Sequence, residues 1–136
     1  MFTVGDRFTL KDGEIAGTLE AGKHYYAMRV EDKAVELVVN GGETCWIDPY
    51  NYNYIFIHTS LPDKVQYMGG YDAKQDGDIA STDDLFIEGN LYTVKCVDVD
   101  LECAHVKLYT ESCEWWMQLD TFYMHFKNIL RTIEVY

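Results

Sequence analysis

Apolar and polar residues alternate along much of the chain. In His24–Asp32, "HYYAMRVED", Tyr26, Met28 and Val30 alternate with Tyr25, Ala27 and Arg29. In Leu91–Val99, "LYTVKCVDV", Tyr92, Val94 and Cys96 alternate with Thr93, Lys95 and Val97. A period of two is the signature of a half-buried strand. "FTVGDRFTL" at Phe2–Leu10 reads as a further strand. "EDKA" at Glu31–Ala34 and "DVDLE" at Asp98–Glu102 read as hairpin connections, and "NGGE" at Asn40–Glu43 as a tight turn, because Asn-Gly accepts positive φ. The strand through Trp46 must break at Asp48-Pro49, since proline cannot donate to a ladder. One stretch, "QLDTFYMHFKNIL", could place Leu119, Phe122, Phe126 and Ile129 on one helical face. The competing reading is a short turn and then a closing strand "ILRTIEV". The pattern predicts an all-β chain with at most one short helix or 3-10 turn near the C-terminus.

The pattern also repeats. With Gly22 set on Gly89, Tyr25 falls on Tyr92, Val30 on Val97 and Leu19 on Phe86. After a two-residue insertion, Val35 meets Ala104, Val39 meets Leu108, Trp46 meets Trp115 and Tyr54 meets Tyr123. Self-similarity of this kind implies a duplicated structural unit. The division is a first repeat at residues 1–62, an acidic connector at 63–84 and a second repeat at 85–136. A glycine-led first strand, a meander of short strands and a closing turn resemble small SH3-like barrels of the Tudor and KOW types. The resemblance rests on Gly22, Tyr25, Val30, Val39, Trp46 and Tyr54, and on Gly89, Tyr92, Val97, Leu108, Trp115 and Tyr123. It implies two SH3-like β-barrel or meander repeats packed as one compact body, as in small phage or bacterial accessory proteins. Function has to be argued from sites, since one fold hosts many.

Charge narrows the function classes. The 136 residues carry 23 acids against 11 bases, a net −12. Residues 72–114 alone hold 11 acids and three bases. Such a field repels nucleic-acid phosphates and attracts basic protein surfaces, so direct nucleic-acid binding is disfavoured. Apolar runs such as Tyr54–Ile57 are far shorter than the ~20 residues of a membrane span. The opening "MFTVGDRF" lacks the features of an export signal, so the expectation is a cytoplasmic protein, or one of the host cytoplasm if phage-encoded. In that compartment Cys45, Cys96, Cys103 and Cys113 are expected as free thiols.

Reaction chemistry is not legible. Cys96, Cys103, His105 and Cys113 lie close in sequence, but no Cys-x₂₋₄-Cys pair is present, so no metal is expected. "DAKQDGDIASTDD" partly mimics a calcium loop, yet its third position is Lys74 and its last is Asp83 where a bidentate Glu belongs. No phosphate loop, G-x-S-x-G or H-E-x-x-H occurs, so no enzyme and no cofactor is expected.

Aromatics are the remaining signal. "WIDPYNYNY" supplies Trp46, Tyr50, Tyr52 and Tyr54. Trp115 and Trp116 are adjacent on a predicted strand and must face opposite sides, so Trp116 is expected at an interface. Exposed rings anchor protein contacts. Together these features predict a small, acidic, non-catalytic binding protein. The first reading is a phage-type inhibitor or nucleic-acid mimic that occupies a basic, nucleic-acid-binding surface of a host protein. Its acidic face would be Asp72, Asp76, Asp78, Asp83, Asp84, Asp98, Asp100 and Glu102, with aromatic anchors Trp46, Tyr50, Tyr52 and Trp116. The alternative is an aromatic groove or cage for a peptide or modified lysine, built from Trp46, Tyr50, Tyr52 and Asp48. A structural accessory subunit, such as a homodimer, is a third.

Overall fold

The computed structural model describes residues 2–39, 43–71, 86–99, 104–109 and 114–129, and for Cys96 the backbone only. Its contacts form two compact units, Met1–Leu61 with Asp98–Ala104, and Pro62–Val97 with His105–Tyr136. Each unit is built on one five-stranded antiparallel sheet.

The first unit has strands β1 (Arg7–Leu10), β2 (His24–Val30), β3 (Val35–Val38), β4 (Thr44–Ile47) and β5 (Phe56–Thr59), with a 3-10 turn at Asn53–Ile55. Their order in the sheet is β4-β3-β2-β1-β5. The second has β6 (Lys64–Tyr67), β7 (Leu91–Val99), β8 (Ala104–Tyr109), β9 (Glu114–Gln118), helix α1 (Leu119–His125) and β10 (Phe126–Asn128). Its order is β10-β6-β7-β8-β9, the same arrangement read from the other edge. The all-β reading with one short helix near the C-terminus holds.

The duplication extends to register. Phe8 pairs with Tyr25 in the first sheet, and Val65 with Tyr92 in the second. Leu10 pairs with Phe56, and Tyr67 with Phe126. The turn entering β2 is matched atom by atom in the turn entering β7. Gly22 N–H donates to the Leu10 carbonyl, and Gly89 N–H to the Tyr67 carbonyl, both at 2.9 Å. Each glycine has φ above +80°, where a side chain is strained. The Tyr25 hydroxyl accepts from the Glu20 amide at 2.9 Å, and the Tyr92 hydroxyl from the Ile87 amide at 2.7 Å.

Three details differ from the sequence alignment. The strand β6 lies at the start of the stretch read as connector, because Val65 and Tyr67 alternate with Lys64 and Gln66 and so bury one face. The tryptophans align one residue later than expected. Val35 pairs with Ile47 and Val106 with Met117, all four buried, so Trp46 corresponds to Trp116 rather than Trp115. Likewise Val35 matches Val106 rather than Ala104, and Leu108 matches Leu37 rather than Val39. A one-residue slip exchanges the two faces of a strand, so the buried alternation decides the register. Finally, the strand that closes the second sheet begins at Phe126 and follows a helix; the "ILRTIEV" segment beyond Ile129 lies outside the described residues.

The first core gathers Phe8, Leu10, Leu19, Tyr25, Ala27, Val35, Leu37, Ile47, Ile55 and Phe56. In the second unit Val65, Tyr67, Phe86, Val106, Leu108, Met117, Leu119, Phe122 and Phe126 are buried. Burying each such large apolar side chain stabilises by about 1.5–3 kcal/mol. Phe122 and Phe126 stack at 5.4 Å, which ties the helix to β10.

Candidate functional site

The loop from β1 to β2 is anchored by buried Leu19, whose amide donates to the Ala16 carbonyl at 3.0 Å. That turn leaves Ile15 pointing to solvent, 87% exposed. Across from it, β4 ends at Asp48-Pro49 and the chain turns into the 3-10 segment. Asp48 organises this turn. Its Oδ1 accepts from the Asn51 amide at 3.1 Å and its Oδ2 from the Asn51 side chain at 2.8 Å. The Asn51 side-chain and backbone bonds hold the Asp48 carboxyl below the ordinary carboxylate range, so it stays ionised at neutral pH.

Between loop and turn runs a groove of about 280 Å³, lined by Ile15, Ala16, Gly17, Trp46, Ile47, Asp48, Tyr52, Ile55 and Phe56. Ile47, Ile55 and Phe56 form a buried floor; Trp46, 44% exposed, and Tyr52, 52% exposed, form the wall. Exposed large rings beside an apolar cleft and one fixed carboxylate are the usual components of a binding site.

Of the predicted aromatic residues, the structure brings Trp46 and Tyr52 together with Asp48 and leaves Tyr50 out. The Tyr50 hydroxyl donates to the Glu31 carbonyl at 3.1 Å, and its ring packs edge-on to Phe2 at 4.8 Å. Tyr54 is exposed and its ring centroid lies 6.4 Å from that of Tyr52. Trp116 is 45% exposed on the second sheet, on the face opposite Met117, and Trp115 is half-buried and donates to the Tyr71 hydroxyl at 2.9 Å. Of the predicted acidic face, Asp98 is exposed on β7; Asp72, Asp76, Asp78, Asp83, Asp84, Asp100 and Glu102 lie outside the described residues. So do the calcium-like loop, Cys103, Cys113 and the Cys96 side chain. Among the described residues, no three His, Cys, Asp or Glu side chains gather as a metal site, Cys45 is a free thiol, and no helix is long and apolar enough to cross a membrane.

Sequence reasoning missed three polar or loop residues. Ile15 sits in a loop with no periodicity to flag it. Asp6 is fully buried, where its carboxylate accepts from the Thr3 amide (3.1 Å) and hydroxyl (2.9 Å), His58 Nε2 (2.8 Å) and the Leu61 amide (2.8 Å). Burial alone would raise its pKa, but the bonds from His58, Leu61 and Thr3 together outweigh it and hold the group below the ordinary value. Glu36 is buried on the face of β3 that also carries its cross-strand partner Trp46.

Comparison of the chain with protein-family models, with curated proteins and with solved structures finds no match.

Proposed function

We propose that this chain is a non-catalytic binding protein whose first unit receives a segment of a basic partner protein in the groove of Ile15, Trp46 and Tyr52. The observation that carries the reading is the groove itself, an apolar floor walled by two half-exposed aromatic rings with an ionised Asp48 at its edge. A net charge of −12 favours a cationic partner and speeds its encounter. The repeated strand order and register support the resemblance to tandem SH3-like barrels. The inhibitor reading, with carboxylates standing in for phosphates on a basic host surface, is supported by the same charge and draws on Asp98.

The test is a random peptide library panned against the protein. Selected peptides should be enriched in Lys or Arg and should bind Tyr52→Ala about tenfold or more weakly, as for an interface anchor. Selection of peptides with no basic residue, or equal binding to Tyr52→Ala, would remove the groove reading. Binding to a basic protein that ignores Tyr52→Ala but falls steeply with salt would favour the mimic.

A further inference from the structure

The two copies treat one position differently, Glu36 standing where the second has Lys107. In the second unit Lys107 lies opposite Trp116 across β8 and β9, and Glu114 is two cross-strand pairs further along, opposite Tyr109 and so on the same face. The Lys107 ammonium sits 2.6 Å from Glu114 Oε2 and 5.6 Å from the centre of the Trp116 ring. Here the protein supplies its own cation to an exposed tryptophan, held by a carboxylate. The Glu114 bond raises the Lys107 pKa, and the Lys107 bond lowers that of Glu114, as expected of a tight pair.

By register, Glu36 occupies the Lys107 position in the first unit, Trp46 the Trp116 position and Thr44 the Glu114 position. The carboxylate and the ring are both present, but the lysine is not. Glu36 is 7% exposed. Its Oε2 accepts from the Thr44 hydroxyl at 2.8 Å, whereas its Oε1 has no hydrogen-bond partner. A buried carboxylate oxygen without a hydrogen bond is costly, and native structures rarely keep one without reason. Arg29, opposite Glu36 on β2, forms a long ion pair with that oxygen through Nε at 3.8 Å, too far for a hydrogen bond, and its side chain is largely exposed. Among the described residues no cation lies over the Trp46 ring.

We infer that Glu36 and Trp46 form a receptor for a lysine side chain of the basic partner. The incoming ammonium displaces Arg29 from beside the Glu36 carboxylate, so that cation, carboxylate and tryptophan come together as Lys107, Glu114 and Trp116 do in the second unit. It satisfies Glu36 Oε1 and lies against the Trp46 ring, and the Arg29 side chain swings out to admit it. Charge-assisted hydrogen bonding and cation–π attraction act on the same group. The inference rests on the partner being basic; it shares the Trp46 ring with the Tyr52 groove, but its carboxylate is Glu36 rather than Asp48.

The probe is n-butylammonium, a lysine side chain without its backbone, with 1-butanol as neutral control. The readout is the Trp46 indole N–H signal by NMR. Butylammonium should shift it saturably and butanol should not. Glu36→Gln should weaken the response about tenfold, the order of one charge-assisted contact. Arg29→Gln should strengthen it by removing the competitor. The double variant Glu36→Lys with Thr44→Glu rebuilds the arrangement of the second unit and should silence it. Equal shifts with butanol, an unsaturated drift, or an unchanged affinity in Glu36→Gln would each overturn the inference. Tyr52→Ala should leave the butylammonium response intact, so failure of the groove and failure of this site are separable. The conservative Glu36→Gln and Arg29→Gln variants keep the test decisive if the double variant does not fold.

Discussion

Asp6 shows how one buried carboxylate can hold the segment before β1 in place. Its four hydrogen bonds join the segment before β1 to His58 on β5 and to Leu61 beyond it. Its folded pKa lies below the unfolded value, so the stabilisation is fully present above about pH 4 and is lost as pH falls through the folded pKa. Asp6→Asn removes the charge and sets an amide donor against other donors. It should cost about 1–3 kcal/mol at neutral pH and flatten the acid limb of the stability curve. Urea unfolding from pH 2 to pH 7 checks both. Neither Asp6 nor Glu36 could be read as buried from the sequence. "GDRF" and "VELV" alternate as surface acids would, and burial of the outward face depends on neighbours brought together only by folding.

At the scale of elements, the same eight-residue span between Ile47 and Phe56, and between Met117 and Phe126, takes two forms. In the first copy Asp48 caps a turn around buried Pro49 and leads to a 3-10 segment; in the second, buried Leu119 and Phe122 sit three apart and favour α-helix. Phe122→Ala should therefore cost about 3–5 kcal/mol, while exposed Met124→Ala should shift stability by no more than about 0.5 kcal/mol. Denaturant midpoints will discriminate the two. The paired turns make a stricter comparison. A Cβ on Gly89 meets no atom within 4 Å, and on Gly22 only the Asp12 Oδ1 at 3.8 Å. Gly22→Ala and Gly89→Ala should thus each cost about 1–2 kcal/mol from backbone strain alone. The strands, the glycine turns and the Gly–Tyr spacing were legible because period two and positive φ leave marks in sequence. The tryptophan register was not. Both members of "WW" carry the same letter, and only the burial of Met117 beside Val106 tells which ring faces out. Strand β6 escaped notice because four residues with two apolar positions resemble a polar connector.

At the scale of the molecule, duplication has produced two similar sheets with different outward surfaces. The second satisfies its tryptophan with Lys107 and Glu114, whereas the first presents Trp46 to both a groove and an underused carboxylate. That asymmetry is the physical basis for the proposal that the first unit is the one that recognises a partner, and the charge of −12 favours a cationic one. None of this was visible from composition, which could identify acids and rings but not which rings share a cleft. The most direct measurement is an amide and indole NMR footprint of a library-selected basic peptide on the intact protein. The account predicts that the largest shifts fall on Ile15, Trp46, Asp48 and Tyr52, with Trp116 unmoved. A footprint centred on Trp116 and β9, or spread evenly over exposed carboxylates, would contradict it.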